Sequence, residues 1–148
     1  MPTLLAVLHY LAIGALVFVL GVEWALLRGR IDGARVALLS RADFFYMLAA
    51  IAVLATGLAR LFLGEKPVLY YMHAGFFHTK VLLFIVVGLI SIMPIIRFAR
   101  WRRRFPENGA AEVDITERDG ARRWLRIELI LLPLIPVCAV FMARGWPW

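Results

Sequence analysis

Four long apolar stretches alternate with polar connections along this chain. They run over residues 4–27, 44–63, 76–96 and 125–143, and few polar positions interrupt them. His9 and Glu23 fall in the first, and Thr56 and Arg60 in the second. His78, Lys80, Ser91 and Pro94 fall in the third, and Arg126, Glu128, Pro133 and Pro136 in the fourth. Each stretch is close to the roughly 20 residues that a 30 Å hydrocarbon slab demands. Lipid offers peptide groups no partners, so a segment of this length must satisfy its own as a helix, whereas barrel strands are shorter and alternate. The pattern predicts an all-α integral membrane protein, a four-helix up-down-up-down bundle in one domain over 1–148, with connections at 28–43 and 97–124. The first stretch is expected to be a retained span rather than a cleaved signal peptide, because no basic region precedes it and its arginines follow it.

Composition agrees. The chain is 63% hydrophobic and 18% charged, with a mean hydropathy of +0.82, against about 45–50% apolar and about 25% charged in soluble domains. Its single cysteine, Cys138, lies in an apolar run and reads as a small buried hydrophobe. It leaves no intrachain disulfide and no CxxC metal or redox site. No GxxxxGK, GxGxxG or HExxH motif is present, so the phosphate-binding, dinucleotide-binding and zincin classes drop out.

A net charge of +7 on a small protein raises the question of nucleic acid, and the placement of the arginines answers it. Of the 17 basic residues, 13 fall in or beside two connections. Arg28, Arg30, Arg35 and Arg41 lie in the first. Arg97, Arg100, Arg102, Arg103, Arg104, Arg118, Arg122, Arg123 and Arg126 lie in or flank the second. The other side keeps Arg60, Lys66, Lys80 and Arg144. This is the positive-inside pattern: both arginine-rich connections are expected in the cytoplasm, in contact with anionic lipid, and both termini in the periplasm of a bacterial inner membrane. Trp24, Trp101 and Trp124 fit an inner aromatic belt, and Trp146 and Trp148 an outer one. Residues 105–120, with five acids, read as a solvated turn.

Ionisable groups inside a membrane are costly and carry the functional information. His9, Arg60, His73, His78 and Lys80 sort toward the outer face, and Glu23, Asp43, Arg97, Arg126 and Glu128 toward the inner one. His9 lies about six residues into the first span, roughly 9 Å deep at 1.5 Å per residue, and Lys80 descends to a similar level. Arg60 shares a stripe with Val53, Thr56 and the small Ala49 and Gly57, where a neighbour or a flat ligand can approach. His73 shares the Lys80 face if the third helix begins early enough, whereas His78 points nearly the other way. Each residue has a bland reading as well. His9 is either an interfacial imidazole bonded to a carbonyl or water, or a haem or metal ligand. His78 is either an interfacial residue or part of a cofactor site, and Arg60 and Lys80 either snorkel to the surface or bind anions. Glu23, Asp43, Arg126 and Glu128 are expected to form ion pairs with one another or with Arg97, and Ser91 and Pro94 to mark a kink.

Gly75-Phe76-Phe77-His78-Thr79-Lys80-Val81 resembles the G-W-L-H-x-K-L segment of the HemJ-type protoporphyrinogen oxidases, small bacterial membrane proteins that bind haem b. Leu8-His9-Tyr10, followed by Trp24, is similar to that family's first helix, and Thr56-Gly57-Leu58 to a stretch late in its second. Arg126 and Glu128 resemble the R…N-E segment opening its fourth. The chain looks closer still to an uncharacterised family of four-helix inner-membrane proteins in the same broad group, which includes CopD-like proteins. It departs from the HemJ type in lacking a fifth helix and in carrying Phe76 for tryptophan and Ile127 for asparagine.

The resemblance implies His9 as an axial haem ligand, and Lys80 as a charge near the macrocycle or substrate. Lys80 and Arg60 would then be the catalytic or binding cations for haem propionates or an anionic substrate. Three histidines allow at most one bis-histidine haem per chain.

Two functions follow. One is a haem-b oxidoreductase or electron carrier near the periplasmic leaflet, working with quinone or a tetrapyrrole. The other is a non-catalytic subunit or scaffold, homo-oligomeric or part of a larger membrane complex. Metal transport in the CopD style is disfavoured, since Met1, Met47, Met72, Met93 and Met142 do not cluster.

Overall fold

A computed structural model describes residues 2–63, 69, 72–73 and 75–144. Lys66, Trp146 and Trp148, singled out above, lie outside the described residues. Among the described residues the main helices follow in the order α1 (Pro2–Leu26), α2 (Gly33–Leu63), α3 (Gly75–Arg104), α4 (Ile115–Leu131) and α5 (Leu134–Ala143). No strand occurs among the described residues. α4 and α5 together form one span, so among the described residues four helical units are long and apolar enough to cross a membrane, as the apolar stretches predict.

The helices run well past the apolar stretches at the arginine-rich end. α2 begins at Gly33 rather than near residue 44, α3 continues to Arg104, and the fourth span starts at Ile115. The expected connections at 28–43 and 97–124 are therefore largely helical. The physical reason is a buried stripe under the charge. Gly33, Val36, Leu39, Ala42, Tyr46, Ala49 and Val53 recur every three or four residues along α2 and are all buried, which is the helical period. Phe98 and Trp101 extend α3 in the same way, and Ala121, Leu125 and Glu128 extend α4. Arginines on the outer faces lower the local hydropathy without interrupting the stripe.

Caps fix these entries. Asp32 accepts from the Arg35 backbone N–H at 2.9 Å and opens α2, and Asp114 accepts from the Thr116 N–H at 3.0 Å and opens α4. Both satisfy N–H groups that the first helical turn leaves without a partner. The end of α1 is closed by Leu27 N–H on Glu23 O at 3.0 Å and Arg28 N–H on Ala25 O at 3.1 Å. Gly29 then turns the chain with a φ of 80°, in the left-handed region that glycine favours. Arg35 also donates to the Arg28 and Arg30 carbonyls, at 2.6 and 2.9 Å. The two connections meet where Val113 N–H donates to Ile31 O at 2.9 Å. A Cβ at Gly33 would collide with the Pro106 carbonyl, so only glycine permits this approach.

The densest packing sits at this basic end, where Leu27, Val36, Leu39, Phe98, Trp101, Ala121 and Leu125 are almost completely buried. Through the apolar stretches many large side chains point outward instead. Phe18 is 71% exposed and Leu11 64%, a surface that faces acyl chains in a bilayer. The fourth span breaks at Pro133. Neither Pro133 nor Pro136 can donate a backbone hydrogen bond, and Ile135 N–H turns back to Leu132 O at 3.2 Å, three residues away.

Candidate functional site

Away from the basic end, α1 and α2 carry His9 and Thr56 against each other. His9 Nδ1 lies 2.9 Å from Thr56 Oγ1. Thr56 Oγ1 gives its one hydrogen back to its own helix, donating to Ala52 O at 2.6 Å. It can therefore offer Nδ1 only a lone pair, so Nδ1 carries a proton, and in the neutral ring that leaves the lone pair on Nε2. Gly57 makes the contact possible: a Cβ there would lie 3.3 Å from His9 Cε1. The small stripe expected to admit a neighbour thus admits the imidazole.

Two cations stand around this ring. The Arg60 guanidinium lies over Tyr10 at 5.6 Å, tying α2 to α1 a second time. Lys80 Nζ lies 5.0 Å over Phe77 on α3 and is half-buried. Both act electrostatically on His9, and Arg60 acts on Lys80 as well. His9 on α1, Arg60 on α2 and Lys80 on α3 thus lie within electrostatic reach of one another.

His78 does not join them. It is exposed, its Nε2 donates to the Met72 carbonyl at 3.0 Å, and its ring meets Phe77 edge-on. His73 bonds Leu69 O at 2.8 Å and precedes the start of α3 at Gly75, so the early start needed to align it with Lys80 does not occur. Among the described residues, no three His, Cys, Asp or Glu side chains are grouped to hold a bare metal ion.

The inner acids depart from expectation. No ion pair among the described residues includes Glu23, Asp43 or Glu128; all the pairs lie in or near the connections, such as Arg41–Glu107 at 3.6 Å and Arg104–Glu117 at 3.4 Å. The arginines expected as partners are engaged elsewhere. Arg97 donates to the Glu117 carbonyl at 3.2 Å, and Arg126 stacks on Trp24 at 5.8 Å alongside Arg122 at 4.8 Å. At the ends of the bundle, aromatic faces and carbonyls accept a guanidinium without removing it from water.

Glu128, 1% exposed, is held by hydroxyl groups instead. Tyr46 Oη donates to its Oε2 at 3.1 Å, and Ser91 Oγ lies at the same distance. Tyr46 and Ser91 are also 2.9 Å apart. Ser91 is therefore part of a polar network and not only a companion of the Pro94 helix break. Sequence reasoning missed Tyr46, because an aromatic residue at a core position in an apolar helix carries no local sign of its partners.

The fold and both constellations belong to a small helical membrane protein. No curated protein and no solved structure matches the chain at a significant level. Residues 1–147 match the family described as "Predicted membrane protein (DUF2214)", and the chain belongs to that family.

Proposed function

We propose that this protein is a haem-b-binding membrane oxidoreductase or electron carrier, with its site at the end of the bundle opposite the arginine-rich connections. One observation carries the reading. The His9–Thr56–Ala52 chain directs the Nδ1 proton to Thr56, so the neutral imidazole presents its lone pair on Nε2, which is the form that ligates iron.

The residues present fit the group. His9 supplies an axial nitrogen, and Thr56 fixes its tautomer and orientation. Arg60 and Lys80 supply positive charge for haem propionates or for an anionic tetrapyrrole or quinone-type substrate. Bound haem would supply one-electron redox chemistry. The protein's part is to orient the imidazole and hold the cations at its level. The likeness of 75–81 to the HemJ-type segment, and of the whole chain to the wider group with CopD-like proteins, supports the same reading. His78 stands outside the first contacts. In this reading the site faces the periplasmic leaflet of a bacterial inner membrane, with both termini on that side.

The test is a visible spectrum of protein purified in detergent from haem-replete cells. A Soret band with reduced α and β bands, lost in His9→Ala and kept in His78→Ala, is the expected result. A colourless protein that added hemin leaves unchanged would overturn the proposal. If it also co-purified with partner subunits, it would be a non-catalytic subunit of a membrane complex.

A further inference from the structure

The network around Glu128 is short of hydrogens. Tyr46 Oη, Ser91 Oγ and Glu128 Oε2 form a triangle with sides of 2.9, 3.1 and 3.1 Å, and Ser91 Oγ also reaches Val87 O at 2.8 Å. Four hydrogen-bond contacts are thus drawn among groups that own two hydrogens, one on each hydroxyl. A proton on Glu128 adds a third. The second carboxylate oxygen, Oε1, is buried with no partner, and so is Glu23 Oε1, on a side chain only 2% exposed. Glu23, on α1, lies within electrostatic reach of Asp43 and Glu128 and of Tyr46.

Among the described residues, no cation forms an ion pair with Glu23, Asp43 or Glu128. α1 contributes Glu23, α2 contributes Asp43 and Tyr46, and α3 contributes the neutral Ser91. α4 contributes Glu128, while its Arg122 and Arg126 lie on Trp24, and Arg97 of α3 is turned to Glu117. α5 carries no charged residue. Like-charged carboxylates removed from water bind a cation or a proton. Among the described residues no three His, Cys, Asp or Glu side chains come close enough to share one metal ion, and hard metal cations take six or more oxygens. A proton needs only one.

We propose that Glu23, Asp43 and Glu128, cross-linked to α3 through Tyr46 and Ser91, form a buried proton-binding site that loads from the basic end of the bundle. Asp43, only partly buried, is the entry group. One helical turn toward the basic end, Ser40 lines an open cleft of about 380 Å³ with Arg41, Phe44 and Arg102, and its hydroxyl has no partner. Asp43 lies one turn of α2 beyond Ser40 and does not line this cleft. A hydronium ion from the solvent gives its proton to the Asp43 carboxylate and leaves as water. Asp43 passes a proton to a carboxylate oxygen of Glu128 or Glu23; no electrons move. The site stands about 21 Å from His9, measured as 14 residues along α1, and it does not depend on haem binding.

The experiment is infrared spectroscopy of the intact protein in lipid nanodiscs, titrated with pH in H2O and D2O. A protonated-carboxyl C=O band that titrates and shifts in D2O is expected. The band is lost in the Glu23→Gln/Glu128→Gln double variant, shifted in Tyr46→Phe, and slower to exchange in Asp43→Asn. Absence of a titrating band in the unmodified protein overturns the proposal, as does its survival in the double variant. A band that responds to sodium replacing potassium assigns the site to a metal cation and overturns the proton assignment. Unchanged exchange in Asp43→Asn overturns the entry route. The unmodified protein alone decides the first of these, whether or not each variant folds.

Discussion

Thr56 determines what His9 can do. Its hydrogen is spent on Ala52 O, so it acts on the imidazole only as an acceptor. Thr56→Val removes that acceptor and lets the ring turn or change tautomer. We expect hemin affinity to fall about 10–100-fold, the usual cost of losing an outer-shell partner of a ligating histidine, while Thr56→Ser stays near the parent; a hemin titration followed at the Soret band measures both. Tyr46 is the counterpart at the other site. Tyr46→Phe leaves Ser91 and Glu128 without a buried hydroxyl and is expected to destabilise the protein by about 1–3 kcal/mol, read from unfolding in detergent. His9 was legible because a histidine within an apolar run has few reasons to be there. The hydroxyl of Tyr46 was not, since its partners lie 45 and 82 positions further along the chain. The expected inner ion pairs failed for a related reason: charge and depth can be read along a chain, but whether a guanidinium prefers a carboxylate or the face of Trp24 depends on contacts between helices.

The helices themselves were readable where hydropathy and period agree, and misjudged where they conflict. Residues 33–43 and 97–104 keep a buried stripe under surface arginines, so a hydropathy boundary falls about two to three turns inside the true helix end. Asp114 was readable as one acid in a polar turn, but its capping role depends on Thr116, whose hydroxyl and N–H both donate to it. Those bonds, the hydroxyl's first, hold the Asp114 carboxyl below its ordinary range. A carboxyl depressed in the folded state stabilises the fold above its unfolded value, near pH 3.9, and loses that contribution as pH falls through the lower folded value. Asp114→Ala is therefore expected to lower the melting temperature at pH 7, with the difference from the parent shrinking on acidification; thermal unfolding across that range checks it. Gly33 tests the same end of the bundle from the other side. Gly33→Ala drives a methyl group into the Pro106 carbonyl, and must move the 105–114 connection off α2. We expect a clear loss of thermal stability there, against little change in Gly14→Ala, where the added carbon meets nothing.

At the scale of the molecule, the dense core and 13 of the 17 basic residues share one end of the bundle, while His9, Arg60 and Lys80 stand at the other. This polarity gives the charge rule a structural counterpart. The basic end is a cross-braced cap in which Arg118 donates to Gly29 O at 2.9 Å and Trp101 Nε1 to Glu117 at 2.8 Å, and translocating it would move many arginines and a packed core across lipid. The opposite end carries few charges and is the cheaper one to export. Orientation can be measured in a Cys138→Ser background, because that thiol is the chain's only cysteine. Asn108→Cys, exposed in the connection between α3 and α4, should react with a membrane-impermeant maleimide only after the cells are opened. Thr3→Cys, exposed at the start of α1, should react in intact cells. The reverse pattern would place the His9 cations in the cytoplasm and the Glu23–Glu128 network toward the periplasm. The proton site would then load from outside, and the haem reading would lose its access to periplasmic donors.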